Sequence, residues 1–353
     1  MQTEIKFENS NMRSWPLGYP TRSDTLRGLS AFKKTSLAAT LIVVASIYLA
    51  VFLGAAIGAL CYLKCPPLLW IPINLAVLLV IARSQRALEC LTHEASHYNW
   101  SRNTKLNDLL ANILSAIPVF STVESFKMGH LIHHNNFGMP NDPDKKRYSI
   151  LRIEDIGRQS LGHFVKGVLS RLPAYAVGWY KNIGVSLFIV LLAIVWHLAL
   201  LVLPLAALVG VTRALSIWAI YWLAPMTAIL PIIRFIGESD EHTYELGAES
   251  LGAREQRGDG TVFNATITSC GRLHGLVFHP VNDGYHLTHH LYPTIPYHQL
   301  KKAHHYLIES DPVRYGSRQR YRTRVLQNPA RNKPALNETD RAEKAQSAAG
   351  GSL

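Results

Sequence analysis

The sequence predicts an all-α integral membrane protein with four transmembrane helices in two hairpins and a polar helical cap. Two observations carry that prediction. The 353 residues are 48% hydrophobic, and the apolar residues concentrate in four runs close to the roughly 20 residues that cross a bilayer. The basic residues flank those runs or fill the C-terminal tail, as side chains beside anionic lipid do. The net charge of +12 is therefore read as a membrane signal, and no nucleic-acid-binding motif accompanies it.

The elements follow in order. Residues 1–36 form a cytosolic N-terminal segment carrying Arg13, Arg22, Arg27, Lys33 and Lys34, and its apolar run starts too late for a cleavable signal peptide. Residues 37–310 form the membrane domain. Its first span is about 37–63, where Gly54 and Gly58 make a GxxxG pair suited to close helix packing. The second is about 68–88, with Pro72 near its start, where proline is tolerated. That helix continues beyond the membrane, because Arg83, Arg86, Glu89, His93, Glu94 and His97 recur at helical spacing. Residues 106–123 are apolar but interrupted by Asn107, Asp108, Asn112 and Pro118, which suits an interfacial or re-entrant helix. Residues 145–182 read as amphipathic surface helices. The third and fourth spans are about 183–209 and 215–236, joined by a short linker. A helix is expected over 300–308, and 311–353 reads as a basic, partly disordered cytosolic tail. Four cysteines without a CxxC pattern give no disulfide framework.

The histidines supply the chemistry. HEASH places His93 and His97 four apart, HLIHH holds His130, His133 and His134, and HLTHH holds His286, His289 and His290. His242 stands alone after the fourth span. Histidines three or four apart on a helix share a face and supply several ligands to a metal. With the N-terminus cytoplasmic and 106–123 not crossing, all nine emerge on one side. Charge agrees, because only Lys64 and Arg213 of the 36 basic residues fall in the two outer turns.

Nine imidazoles exceed one ion and suit two. Zinc prefers four ligands, whereas a histidine-rich pair of higher coordination number suits iron with its oxygen chemistry. Asn282, four residues before His286, is a candidate to orient a bound water or fill a coordination gap, with a plain turn residue as the other reading. Glu94, Glu124, Glu238, Glu241, Asp142, Asp144 and Asp283 are candidate acceptors for imidazole N–H groups. His197, inside the third span, reads as a packing or substrate-channel residue. His279 is the nearest substitute should one of the nine not be a ligand.

From about Leu88 to Leu300 the order HxxxH, HxxHH, HxxHH resembles the membrane fatty acid desaturase family, whose superfamily includes related hydroxylases and ketolases. HEASH resembles the first box, GHLIHHNNFGMPNDPD the second, and GYHLTHHLYPTIPYHQL the third with its following helix. RFIGESDEH resembles the segment that supplies a further histidine, here His242. The resemblance implies a non-haem diiron centre at the cytoplasmic membrane surface, in a bacterial inner membrane or the endoplasmic reticulum. It also implies O2 as co-substrate, a lipid or fatty acyl substrate, and electrons from a separate ferredoxin or cytochrome b5 type donor with its reductase. No HPGG haem segment and no Rossmann glycine fingerprint is visible. Desaturation of an acyl chain is the expected reaction. A hydroxylase or ketolase acting on an alkyl, sphingolipid or terpenoid substrate is the first alternative. A non-enzymatic membrane metal-binding protein is the second, disfavoured because transporters place their ligands within the membrane.

Overall fold

The computed structural model describes residues 23–184, 186–244, 259–328 and 330–331. Helix α1 (Ser23–Ser30) precedes the first span, with Thr25 and Leu29 buried. Helix α2 (Leu37–Lys64) starts at Ser36, whose hydroxyl accepts from the Ala39 N–H at 3.2 Å, the bond that stabilises a helix N-terminus. Ile42, Leu49, Phe52, Leu53 and Leu60 are exposed along it. An apolar belt of that length is stable against lipid and not against water. Its 28 residues reach about 42 Å at the usual helical rise. The Cys65 N–H closes the helix on the Cys61 carbonyl, and Pro66 and Pro67 turn the chain into α3 (Pro67–Ser96).

Helix α3 changes environment along its length. Leu68, Leu75 and Leu79 are exposed, whereas from Ile81 to Ser96 every residue except Arg83 is buried. The helix passes from lipid into protein and carries its polar face into the cap. It packs on α2 as the GxxxG pair requires. A side chain at Gly54 would meet Val77 and Ile81 at ordinary contact distances of 3.5–3.8 Å, but one at Gly58 would meet Asn74 and Tyr221 at 2.6 Å. The Asn74 amide donates to the Gly58 carbonyl at 3.1 Å, and Tyr221 donates to the Asn74 Oδ1 at 2.6 Å. Gly58→Val is therefore expected to lower stability by about 1–3 kcal/mol through overpacking. Gly54→Ala should leave it nearly unchanged. Thermal melts of the purified chain compare the two.

Helix α4 (Thr104–Ala111) runs through a π turn and a 3₁₀ turn to Val119, and the chain then bends by 88° into α5 (Val123–Asn135). The polar residues that interrupt this apolar segment build the corner. The Asn107 amide donates to the Ala95 carbonyl at 2.9 Å, and Asn112 Oδ1 accepts from the Val123 N–H at 2.8 Å. Phe120 sits at φ 59, a conformation unusual for a bulky residue. His197 fixes the same corner from the third span, its Nε2 lying 3.0 Å from the Pro118 carbonyl.

Helices α6 (Pro143–Leu151) and α7 (Leu161–Gly184) lead to the second hairpin, α8 (Leu187–Val209) and α9 (Val211–Glu238). α8 starts at Leu187 rather than near Ile183 because Ser186 caps it, accepting from the Ile189 N–H at 3.4 Å. α9 starts at Val211 rather than Leu215 because Gly210, at φ 85, makes the turn alone. The four apolar spanning helices and the histidine-bearing cap make the fold all-α in architecture.

The cap is completed by α10 (Asp259–Ala265), α11 (Arg272–Phe278), α12 (His286–Leu291) and α13 (Tyr297–Ser310). One small sheet joins them. Strand β1 (Thr268–Ser269) runs parallel to β2 (Arg320–Arg322), which pairs antiparallel with β3 (Ala330–Arg331). The chain beyond Asp311 thus returns to the cap, where Arg322 donates to Asp240 at 2.6 Å. Residues 1–22 and 332–353, the outer parts of the two terminal segments, lie outside the described residues.

Candidate metal centre

Each histidine is placed by a helix or a bridge. His93 lies in the last turn of α3 and His97 caps it. His130, His133 and His134 sit on α5, and His286, His289 and His290 on α12. His242 follows α9 and is pinned by a β-bridge to Thr266, with the Ile267 N–H donating to the Glu241 carbonyl at 2.9 Å.

The nine ring nitrogens converge in two groups. His93, His97, His130, His134 and His289 form one, and His133, His242, His286 and His290 the other, with the nitrogens of each group within 4.8 Å of one another. The division follows helix geometry. In each HxxHH box the i, i+4 pair goes to one group and the remaining histidine to the other. Box two therefore gives two imidazoles to the first group and one to the second, and box three reverses the count.

Burial sets the electrostatics. It pulls His97, His130, His134, His242, His289 and His290 well below the ordinary imidazole range, and His286 to about 3. These rings are neutral at pH 7 and present lone pairs. His289 Nε2 lies 2.9 Å from His93 Nε2 and 3.1 Å from His134 Nε2. One proton satisfies one such approach, whereas a cation satisfies all of them. The donor set thus fits a pair of metal ions, and the chemistry of the ligands fits iron.

Of the seven candidate carboxylates, two bond directly to a ring. Asp283 Oδ1 is 3.2 Å from His93 Nδ1, and its Oδ2 accepts from Arg86 at 3.1 Å. Asp142 Oδ1 is 2.9 Å from His133 Nδ1, while the same carboxylate caps α6 by accepting from the Asp144 N–H and holds the preceding turn by accepting from the Gly138 N–H. Burial opposes a charge on His133, but Asp144 and Asp142 outweigh it and raise its proton affinity. Asp144 lies 3.8 Å from His133, and Glu241 lies 4.0 Å from His286. Glu94 instead accepts from Asn99 and from the Tyr297 N–H, Glu238 pairs with Arg234 and Arg147, and Glu124 is exposed at the cavity wall. Asn282 donates its amide to the Tyr297 carbonyl at 3.1 Å. His279 meets two other buried groups of side chains, Asp240 with His274 and Glu241 with Asp283.

Asp283→Asn keeps the shape but weakens the hold on His93. It is expected to lower metal affinity by about 10- to 100-fold. Glu94→Gln, which touches no imidazole, should leave affinity unchanged in the same iron titration.

A cavity of about 800 Å³ opens beside the histidines. His93, His130, His133 and His286 reach it, together with Ile117, Val119, Phe120, Trp179, Ile189 and Leu192. A chain of ion pairs also lines it. Asp283 pairs with Arg86, Arg86 with Glu89, Glu89 with Arg234, Arg234 with Glu238, Glu238 with Arg147, and Arg147 with Asp144, at 2.8–3.5 Å. Arg147 and Arg234 were not singled out as site residues from the sequence. The usable signal was Arg234, a charge within an apolar span, four residues before Glu238.

A family model described as fatty acid desaturase matches residues 68–323. The sn-1 acyl-lipid omega-3 desaturase (ferredoxin) of Nostoc sp. (strain 36) is 27% identical over 226 residues, 62% of each chain. The dihydrorhizobitoxine desaturase of Bradyrhizobium elkanii is 25% identical over 263 residues, 70% of this chain and 71% of that one. The chain thus spans 62% of the length of the first of these relatives. It belongs to the fatty acid desaturase family.

Proposed function

We propose that this member of the fatty acid desaturase family is a membrane-bound, oxygen-dependent desaturase whose nine histidines hold two iron ions. The five-histidine group would hold one ion and the four-histidine group the other. The observation that carries the reading is the convergence of nine imidazoles in two close groups, four of them reaching the wall of a cavity large enough for a lipid-like molecule. Bound iron would supply the oxygen activation that an unactivated C–H bond requires.

The chain's own residues do the rest. Asp283 and Asp142 orient His93 and His133 through their Nδ1 atoms, which leaves Nε2 directed at the metal. Phe137 packs on His133, His242 and His290 and excludes water from the second group. Phe120, Ile189 and Leu192 form an apolar wall that positions a CH2–CH2 unit beside the cluster. The reaction is –CH2–CH2– + O2 + 2 electrons + 2 H⁺ giving –CH=CH– + 2 H2O. A separate donor of the ferredoxin or cytochrome b5 type, served by its reductase, supplies the electrons. The substrate is a lipid or fatty acyl compound. The metal site faces the cytoplasm, supported by the scarcity of basic residues in the two turns on the other side.

Expression in a host that lacks the activity, followed by mass analysis of extracts, tests this reading. A product two hydrogens lighter, formed only with O2 and reductant, is expected. A product heavier by one oxygen would instead assign a hydroxylase. Iron binding without reductant-dependent O2 uptake would remove the enzymatic reading.

A further inference from the structure

Two buried histidines of the cap belong to neither imidazole group. His274 lies in α11, and His279 is the residue that ends that helix. Their exposure is 4% and 3%. They meet Asp240, which is wholly buried and stands two residues before His242. One nitrogen of each ring and one oxygen of Asp240 lie within 4.8 Å of one another. None of the three lines the cavity beside the two histidine groups.

The bonding of this trio is uneven. Asp240 Oδ1 is held by Arg158 and by Arg322, each at 2.6 Å. The other oxygen, Oδ2, faces His274 Nε2 at 2.9 Å. An Asp240–His274 ion pair therefore accounts for one ring and not for the other. His279 has neither a hydrogen bond nor an ion pair among the described residues, at Nδ1 or at Nε2. Burying the polar atoms of a ring without partners costs free energy, whereas a cation shared with Asp240 and His274 gives one of them a bond. Glu241 and Asp283, whose oxygens also come within 4.8 Å of a His279 nitrogen, are the nearby acceptors for the remaining N–H. Charge does not oppose a cation here. Arg158 and Arg322 on Asp240, and Arg86 on Glu241 and Asp283, make three positive groups against three negative ones.

We propose that Asp240, His274 and His279 form a third metal site, for zinc, separate from the nine histidines of the two groups. Two imidazoles and a carboxylate are three of the four ligands zinc takes, and a water completes the set. The two guanidinium groups on Oδ1 fix the carboxylate so that Oδ2 is the ligand atom. The ion ties the segment that carries His242 to α11. It does not meet the substrate, because no ligand of the site reaches the cavity.

The test uses the full chain in lipid nanodiscs, loaded with two equivalents of iron and then dialysed against zinc. Elemental analysis counts both metals, and X-ray absorption at the zinc edge reports the ligand atoms. About one zinc per chain is expected in addition to the iron, with nitrogen and oxygen ligands at about 2.0–2.2 Å. His274→Ala and His279→Ala should each cut bound zinc about tenfold or more and leave the iron count unchanged. His279→Cys should keep zinc and add a sulfur at about 2.3 Å, a signature that a packing role would not produce. It also carries the test should an alanine variant fail to fold. No zinc, zinc that enters only by displacing iron, zinc retained in full by both alanine variants, or a zinc edge without sulfur in His279→Cys would overturn the proposal. The count is read whether or not the chain oxidises a lipid, so the proposal stands or falls independently of the desaturase reading.

Discussion

Replacing His134 or His290 by alanine is expected to lower turnover by about 1000-fold or more. The two residues belong to different groups, His134 to the five-histidine set and His290 to the four-histidine set. Each is buried and brings a neutral nitrogen to its cluster. Loss of one ligand removes a metal bond and opens a space for water against the remaining rings. Because the two ions act as a unit, the double substitution should be scarcely worse than either single one. Iron analysis of the single variants separates the groups, since each should lose the ion of its own set first. Near wild-type turnover in either variant would show that its group is not part of the active centre.

Arg86→Met should be the most destabilising single change, at about 3–5 kcal/mol. Arg86 is buried and faces Asp283 at 3.1 Å, Glu89 at 3.5 Å and Glu241 at 3.7 Å. Removing the guanidinium leaves Asp283 and Glu241 without that counter-charge and Glu89 with Arg234 alone. Asp283 also anchors His93, so the loss passes to the metal centre as well as to the fold. Removing one carboxylate at the same time, as in Arg86→Met with Glu89→Gln, should recover part of the stability. Thermal melts of the two variants make the comparison. An unchanged melting temperature for Arg86→Met would mean that these carboxylates have enough other partners.

Much of this was legible in the chain for physical reasons. The apolar runs announce themselves because lipid tolerates few alternatives. The histidine boxes stand out because i, i+4 spacing is local, and the eight residues they indicate meet in space with His242 as the ninth. Other features depend on distant partners and leave little trace. Which histidine joins which group emerged only once α5 and α12 faced each other, although the i, i+4 rule held the clue. Arg147 comes from α6 and Glu238 from α9, so the ion-pair chain spans elements with no common period. Candidate carboxylates could not be ranked by sequence, because Asp142 and Glu94 look alike until the former is found on His133 and the latter on Asn99 and Tyr297. The return of Arg322 to Asp240 is likewise a long-range pairing within a segment whose composition resembles a tail.

The central claim is that the two imidazole groups hold two iron ions. Metal analysis and Mössbauer spectroscopy of the full chain, loaded with ⁵⁷Fe, test it most directly. Two iron ions per chain in two distinguishable nitrogen-rich sites, both altered on reaction with O2 and reductant, are expected. Zinc in place of iron, or a single iron site insensitive to O2, would contradict it.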